Sequence, residues 1–175
     1  MKELQFNIVR ILKRVKGNDK EVINDYFRKA GMHIGKKVNI CCNIMTPEPY
    51  LISIGNNVTI AGNVEFVTHD NSISKVLPNC TDLFGKITIG NNCFIGARTT
   101  ILYGVTLADN IIVAAGSVVT NSFTKSNIII GGNPAREIST WENFAKKNQK
   151  KVWNLNLEKK GIQIVNDNRL VKKWG

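Results

Sequence analysis

The side chains of this 175-residue chain that can both accept and release a proton near neutral pH are its two histidines, His33 and His69. His69 lies in the run Val-Thr-His-Asp-Asn, where a regular sequence pattern stops and a long irregular segment begins. An unperturbed imidazole has a pKa of about 6.5, so it can accept a proton and return it. His33 has no polar cluster around it, which favours a structural role. His69 is therefore the candidate general base, and the alternative is a loop histidine without catalytic function.

The cysteines and histidines do not form a metal-binding pattern. Cys41 and Cys42 are adjacent, Cys80 and Cys93 are isolated, and no C-x-x-C spacing occurs. Two histidines and scattered cysteines do not supply the three or four converging ligands of a zinc site. We expect free thiols in a reducing compartment and no metal cofactor. Walker, G-x-S-x-G and dinucleotide-binding motifs are also missing from the sequence.

The elements that must position His69 are repeats of six residues, clearest in segment 89–124. Each block opens with an aliphatic side chain, and its fifth place holds a compact or apolar one. The openers are Ile89, Ile95, Ile101, Leu107, Val113 and Val119. A period of six fits neither an α-helix nor simple strand alternation, and it predicts a β-helix. One coil cannot bury its openers alone, so the coils must stack.

The repeat is interrupted twice before this segment. Blocks begin at Ile34 and Ile40, and the Pro-rich run 45–50 then breaks the count. Counting restarts at Ile54, and residues 71–86 leave the pattern again, just after His69. A loop of this length inside a compact repeat is more often functional than idle. The predicted organisation is a helical segment 1–33, a β-helix domain 34–138 with a loop at 70–86, and a C-terminal helix and tail at 139–175.

The two ends of the chain carry helical patterns and most of the charge. Apolar residues at helical spacing in segment 2–16 predict a basic amphipathic helix that packs on the body: Leu4, Ile8, Ile11, Leu12 and Val15. The alternative is a peripheral contact of residues 2–16 with a membrane. A second helix is predicted over 19–30, before Gly31. At the other end, Ser139 and Glu142 predict a capping box that opens a helix to about Trp153, and a hairpin is predicted around 166–168.

The net charge of +11 lies on these ends. Residues 1–37 hold ten basic and four acidic side chains, and residues 134–175 hold ten and four, whereas residues 38–133 hold four and five. Without a basic face interleaved with aromatic residues, we expect no nucleic-acid binding. Basic ends fit a nucleotide-bearing cofactor, an acidic glycan or an anionic membrane, and the alternative is solvated ends without a partner. Because neither a membrane span nor a signal peptide is evident, we expect a cytoplasmic location, with the inner face of the membrane as the alternative.

The ordered combination of motifs resembles a known family. The hexads, the break after Phe-Val-Thr-His-Asp, the run Ala-Ala-Gly-Ser-Val-Val-Thr and the ending Gly-Gly-Asn-Pro-Ala-Arg are similar to the hexapeptide-repeat acyltransferases. The closest likeness is to the galactoside, maltose and polysaccharide O-acetyltransferases, and it covers about residues 34–138. It implies an all-β core folded as a left-handed parallel β-helix of about five coils, an exception to the usual right-handed crossover. It also implies a homotrimer with active sites in clefts, and acetyl-CoA as co-substrate along the coil edge.

The resemblance also implies roles for individual residues. His69 matches the catalytic histidine, Asn43 a substrate-orienting asparagine, and Asp70 stands beside His69 on the substrate side, where it could also orient the imidazole. The implied acetyl-CoA contacts are Ala97, Ala115, Thr120, Lys125 and Arg136. The sequence thus predicts an acetyl-CoA-dependent O-acetyltransferase acting on a sugar hydroxyl in surface-polysaccharide (capsule or O-antigen) biosynthesis, with direct transfer in a ternary complex. The alternatives are an N-acetyltransferase of an amino sugar or antibiotic and a non-catalytic β-helical binding or scaffold protein.

Overall fold

A computed structural model describes residues 3–149, 164–166 and 169–171. The chain divides into two compact units, Met1–Thr140 and Trp141–Gly175. The first unit opens with helices α1 (Glu3–Val15) and α2 (Glu21–Lys29). Fifteen short strands follow: β1 His33–Ile34, β2 Asn39–Ile40, β3 Ile52–Ile54, β4 Thr59–Ile60, β5 Glu65–Val67, β6 His69–Asp70, β7 Leu83–Phe84, β8 Ile87–Ile89, β9 Phe94–Ile95, β10 Thr100–Leu102, β11 Thr106–Leu107, β12 Ile111–Val113, β13 Val118–Val119, β14 Ile128–Gly132 and β15 Ala135–Thr140.

Twelve strands of the first unit form three parallel stacks, as the period of six predicts. The first sheet runs β1-β3-β8-β11, the second β2-β4-β9-β12-β14, and the third β5-β10-β13. Strand β15 closes the second sheet by pairing antiparallel with β14, and β6 and β7 form an antiparallel pair of their own. Ile89 pairs with Leu107, Ile95 with Val113, and Ile101 with Val119, so partners lie 18 residues apart. Three blocks of six therefore make one coil, with one strand in each sheet. This register confirms a parallel β-helix.

The core is the column of hexad openers. All six openers of segment 89–124 are buried, and Ile101 and Val119 have no exposed surface. Burying an aliphatic side chain of this size contributes about 1.5–3 kcal/mol relative to leaving it exposed. Asparagines at a corner of the coil hold the left-handed backbone that the turn needs, with φ of 54° at Asn57 and 55° at Asn92. Their side chains form a ladder, since Asn57 donates to Asn92 at 2.6 Å and Asn92 to Asn110 at 2.8 Å.

Helix α1 packs differently from the prediction. Its buried residue is Phe6, whose ring centroid lies 6.1 Å from that of Tyr26 and 5.7 Å from that of Phe27 on α2. The predicted packing face is wrong, because all five of its side chains are exposed: Leu4, Ile8, Ile11, Leu12 and Val15. The aromatic contacts of Phe6 with α2 fix the opposite side of the helix. The predicted second helix is confirmed, and Gly31 follows it with a φ of 110°.

The second unit contains helix α3 (Trp141–Asn148) and two antiparallel strands, β16 (Ile164–Asn166) and β17 (Arg169–Val171). The strand pair confirms the predicted hairpin. The predicted continuation of α3 to Trp153 lies outside the described residues. Within the described ranges, none of the helices has the length and apolar character that crossing a membrane requires.

Candidate functional site

His69 stands where the chain leaves the second coil. One residue after β5, strand β6 pairs antiparallel with β7, so that His69 lies opposite Phe84. The backbone N–H of Gly85 donates to the carbonyl of Thr68 at 3.2 Å and closes the irregular loop back onto the coil. The rings of His69 and Phe84 have centroids 5.5 Å apart. The His69 side chain remains 36% exposed, so one side of the imidazole is open to a ligand.

The carboxylate of Glu48, which is not among the residues predicted from the sequence, contacts His69. Oε2 of Glu48 lies 2.9 Å from Nδ1 of His69. Glu48 comes from the Pro-rich interruption of the repeat, and residues 42–46 ahead of it run in step with residues 64–68. Two contacts show this register, from Cys42 Sγ to the carbonyl of Val64 at 3.8 Å and between the Thr46 and Thr68 hydroxyls at 2.6 Å. Stacking of the coils therefore brings Glu48 and His69 together.

The protons of this cluster can be assigned by counting donors. The Thr68 hydroxyl donates to Oε2 of Glu48 at 2.7 Å, so its single proton is used. Thr46 must then donate to Thr68 across their 2.6 Å contact. Thr46 in turn accepts the backbone N–H of Glu48 at 3.1 Å. This series of hydrogen bonds begins at the backbone N–H of Glu48 and ends at its side-chain Oε2, which is the acceptor of the Thr68 proton.

The charge of Glu48 follows from opposing effects on its pKa. Desolvation of the carboxylate, which is only 14% exposed, is the largest single effect and raises the pKa. Hydrogen bonds from Thr68, His69 and Thr46 and the charge interaction with His69 act against it, and the net pKa is lowered. Glu48 is thus ionised at neutral pH and can only accept. His69 must donate from Nδ1, so a neutral imidazole carries its free lone pair on Nε2. Within the described part of the chain, Nε2 has no hydrogen-bond partner. An arrangement of this kind suits a general base.

The carboxylate of Asp70 faces elsewhere. Its Oδ1 accepts the backbone N–H of Ser72 at 2.8 Å and holds the short 3₁₀ turn Ser72–Lys75 at the start of the loop. The carboxylate on Nδ1 of His69 is therefore that of Glu48, not that of its sequence neighbour. A signal for Glu48 existed in the sequence, since it is the single acidic residue between positions 38 and 64 and lies between two prolines where the repeat breaks.

Ala97 and Ala115 stack at one corner of the coil, in the turns that precede β10 and β13. The carbonyl of Ala97 accepts the N–H of Gly116 at 2.8 Å. Among the described residues, the backbone N–H groups of Ala97 and Ala115 have no partner. The corner is tightly stacked, because a Cβ on Gly96 would lie 2.5 Å from the nitrogen of Ala115. Free amides beside small side chains could bind an extended ligand through the backbone.

The other predicted cofactor residues are exposed near the end of the stack. Thr120 directly follows β13. Nζ of Lys125 lies 2.6 Å from Oε1 of Glu137, and Nη1 of Arg136 donates to the carbonyl of Ala135 at 2.9 Å. An ion pair as exposed as that of Lys125 contributes little free energy, so the cation remains available to a phosphate. These two cations could hold the nucleotide end of a cofactor.

Asn43 lies on the third side of the first coil, in step with Glu65. Its side-chain oxygen and nitrogen are both buried and have no hydrogen-bond partner among the described groups. Unpaired buried amides are costly, so a ligand that supplied donors and acceptors would be favoured. Asn43 borders a cavity of about 390 Å³, which Asn7 and Arg10 of α1 also line. His69 follows Glu65 by four residues, so the distance along the strand from the level of Asn43 to His69 is about 13 Å.

Within one chain, the predicted site residues and the side chains found around His69 form separate groups. One group lies at the C-terminal end of the parallel strands of the third sheet, called here the leaving end, and it contains Glu48, Thr68, His69 and Phe84. Thr120 follows β13 at the same end. Ala97 and Ala115 precede β10 and β13, at the N-terminal end of the strands of that sheet, called here the entering end. Among the residues that the structure describes, three or more His, Cys, Asp or Glu side chains do not gather anywhere as a metal site would require.

Comparison with known proteins shows relatives of this chain in sequence and in fold. A family model described as the hexapeptide repeat of succinyl-transferase matches residues 86–121. Protein CapG of Staphylococcus aureus is 42% identical over 164 residues, covering 89% of this chain and 92% of CapG. The galactoside O-acetyltransferase of Escherichia coli (strain K12) is 34% identical over 110 residues, covering 62% of this chain and 54% of that protein.

A solved structure of a galactoside acetyltransferase in complex with coenzyme A matches with a TM-score of 0.57 and 33% identity, covering 67% of this chain and 58% of that one. The chain thus spans little more than half the length of the two galactoside acetyltransferases. The likeness to this repeat and this structure implies the left-handed sense of the β-helix.

Proposed function

The chain belongs to the hexapeptide-repeat acyltransferases, and on that premise we propose that it transfers the acetyl group of acetyl-CoA to a hydroxyl group of a sugar. The observation that carries the proposal is the pairing of His69 Nδ1 with Glu48, which leaves Nε2 as a free base on an open side of the ring. A binding or scaffold protein of the same fold would not need an oriented, half-exposed imidazole.

In the proposed reaction, Nε2 of His69 removes the proton of the acceptor hydroxyl as its oxygen attacks the thioester carbonyl carbon. A C–O bond forms, and the carbonyl oxygen carries the charge of a tetrahedral intermediate, which a backbone N–H at the cleft would stabilise. The C–S bond then breaks, and the imidazolium returns the proton to the sulfur of coenzyme A. General acid–base catalysis of this kind contributes about 10²–10⁴-fold to the rate.

Glu48 serves as the positioning residue in this scheme. Its carboxylate holds the tautomer of the resting imidazole and faces the positive charge that develops when Nε2 takes up the proton. The template is the general one of a base oriented by a third group. The Thr46–Thr68 pair keeps Oε2 pointed at the imidazole.

Acetyl-CoA binding along the corner of Ala97 and Ala115 is supported by the unpartnered amides there and by coenzyme A in the related galactoside acetyltransferase. In this proposal Thr120, Lys125 and Arg136 hold the nucleotide end, because guanidinium and ammonium groups pair with phosphates. Asn43 and Asp70 belong to the acceptor side.

A homotrimer fits the separation of the two groups. From Ala97 at the entering end to Leu102 at the leaving end of β10 is five residues, or about 16 Å. Around a threefold axis, the leaving end in one subunit would meet the entering end in its neighbour. We place the proposed site at that junction, with His69 from one subunit and the coenzyme corner from the next.

The acceptor that we propose is a sugar hydroxyl in a surface polysaccharide or its precursor. The likeness to a galactoside O-acetyltransferase favours a sugar hydroxyl over an amine. The polysaccharide context comes from the resemblance of the Thr-His-Asp segment and its loop to polysaccharide O-acetyltransferases.

The test is the variant His69→Ala, with His33→Ala as its matched control. Acetyl-CoA consumption would be measured against a panel of sugars, nucleotide sugars and lipid-linked glycans. We expect His69→Ala to lose at least about 10²-fold in kcat, while coenzyme A still raises the melting temperature and the oligomeric mass is unchanged. His33→Ala should keep full activity. Unchanged turnover in His69→Ala would remove the proposed mechanism.

A further inference from the structure

Helix α1 presents an apolar stripe to the outside of the molecule. Leu4, Ile8, Ile11 and Val15 project within about 60° of one another on a helix of 3.6 residues per turn. Leu4 is 73% exposed and Val15 is 78% exposed, and the two residues between them are also exposed. Phe6, on the opposite side of the helix, supplies the contact with α2. The outward stripe therefore contributes little to the packing of the helix.

Basic side chains border this stripe. Arg10 and Arg14 follow one flank and Lys16 follows the other, and all three are exposed. Lys13 lies on the side of Phe6 and does not border the stripe. The single acidic residue of α1 is Glu3 at its first turn. A helix of thirteen residues is about 20 Å long, so the stripe and its cations share one continuous surface. The pattern is that of a helix lying in the plane of a membrane surface, with its apolar face at the acyl boundary and its cations at the headgroups.

We propose that the outward face of α1 docks this protein on an anionic lipid bilayer. Charge complementarity selects the bilayer over a second copy of the chain. Two such helices packed together would bring Arg10, Arg14 and Lys16 of one close to those of the other. Anionic headgroups neutralise the same cations, each at about 1 kcal/mol near the surface, as the exposed aliphatic side chains leave water.

The test is flotation of the whole 175-residue chain with vesicles. Vesicles of phosphatidylcholine and phosphatidylglycerol at 7:3 should carry the protein upward, whereas pure phosphatidylcholine vesicles should bind it at least about tenfold less tightly. High salt should release it from the anionic vesicles, because it screens the cations. Ile8→Ser/Ile11→Ser should reduce partitioning more than tenfold, and Arg14→Gln/Lys16→Gln about 30-fold.

The matched control is Val76→Ser/Leu77→Ser, which removes two exposed apolar side chains outside α1 and should float like the wild type. The Ile8→Ser/Ile11→Ser protein should keep its oligomeric mass and its activity on a soluble acceptor. A fall in oligomeric mass in that variant would assign the stripe to contact between copies and overturn the proposal. Equal flotation of wild type and both α1 variants, or equal binding to neutral and anionic vesicles, would overturn it as well. Flotation and oligomeric mass do not depend on the proposed acetyl transfer, so either proposal can fail without the other.

Discussion

Glu48→Gln removes the charge behind His69 while keeping its hydrogen bonds. A glutamine can place its side-chain oxygen where Oε2 stands, so it can still accept from Thr68 and from Nδ1 of His69. The resting imidazole keeps its tautomer. What disappears is the negative charge facing the imidazolium when Nε2 takes the acceptor proton.

The size of the effect follows from the surroundings of this pair. Two unit charges 4 Å apart attract by about 1 kcal/mol in water and by about 4 kcal/mol at an effective dielectric constant of 20. The pair lies between these limits, because Glu48 is 14% exposed and His69 is 36% exposed. A hydrogen bond to a charged group contributes about 1.5–3 kcal/mol, in the same range. We take about 2 kcal/mol, which predicts a kcat about 30-fold lower.

The assay is steady-state acetyl transfer, with kcat and KM measured for both substrates. We expect kcat to fall while KM for acetyl-CoA stays within about twofold, since the lost interaction acts in the transition state. Asp25→Asn is the matched control, because it also removes a carboxylate from an ion pair, with Arg28, and Asp25 lies on the exposed surface of α2. Its kinetics should match the wild type.

A direct readout of the imidazole accompanies the kinetics. Long-range proton–nitrogen spectra of labelled protein report which ring nitrogen carries the proton, and only two histidines need assignment, with His33→Ala identifying one of them. We expect a protonated Nδ1 in the wild type and in Glu48→Gln, and mixed tautomers in Glu48→Ala. A kcat within threefold of wild type in Glu48→Gln would refute the reasoning. A larger loss in Asp70→Asn than in Glu48→Gln would transfer the role to Asp70.

Two further predictions concern stability. Because the folded-state pKa of Glu48 is lowered, the carboxylate contributes its full stabilisation above the ordinary glutamate pKa of about 4.3, and this contribution is lost as the pH falls through the folded-state pKa. The difference in melting temperature between wild type and Glu48→Gln, recorded from pH 7 to pH 3, should therefore be constant above about pH 5 and shrink in acid. A difference that grows in acid would contradict this prediction. Gly96→Ala should lower the free energy of unfolding by about 1–3 kcal/mol, because its new Cβ would lie 2.5 Å from the nitrogen of Ala115. Gly62→Ala, where a Cβ meets nothing within 4 Å, should change the free energy of unfolding by less than about 1 kcal/mol. Urea unfolding of both variants measures these changes, and equal losses would show that the corner is not tightly stacked.

The sequence was sufficient for the β-helix and for the position of His69. The period of six predicts which side chains face inward, and the structure buries all six openers from Ile89 to Val119. It predicts less well where the count is interrupted. Glu48 lies in such an interruption, and its distance from His69 depends on residues 42–46 pairing in step with 64–68, a spacing of 22 that differs from the 18 of the regular coils. Hexad counting cannot provide that register.

Helix α1 shows a different limit of sequence patterns. Apolar spacing locates the helix, but it does not say what covers the apolar face. Phe6 and Val9, which pack against the rest of the unit, lie outside the stripe that the pattern selects. The choice between the two sides depends on aromatic contacts with Tyr26 and Phe27, residues of another helix. Amphipathicity therefore located the apolar face of α1 correctly, but the prediction that this face packs on the body was wrong.

The environment of His69 joins three segments that are distant in sequence. Residues 46–48 supply the carboxylate and a hydroxyl, residues 68 and 69 follow strand β5, and Phe84 returns from the loop. Each is held by a different interaction: the stacking of the first coil on the second, the parallel pairing of β5 with β10, and the β6–β7 hairpin. Loops can hold a precise contact here because a rigid coil lies directly beneath each of them. The breaks in the repeat therefore supply the residues of the candidate site, since a regular hexad offers inward aliphatic side chains and has no place for a hydrogen-bonded carboxylate–imidazole pair.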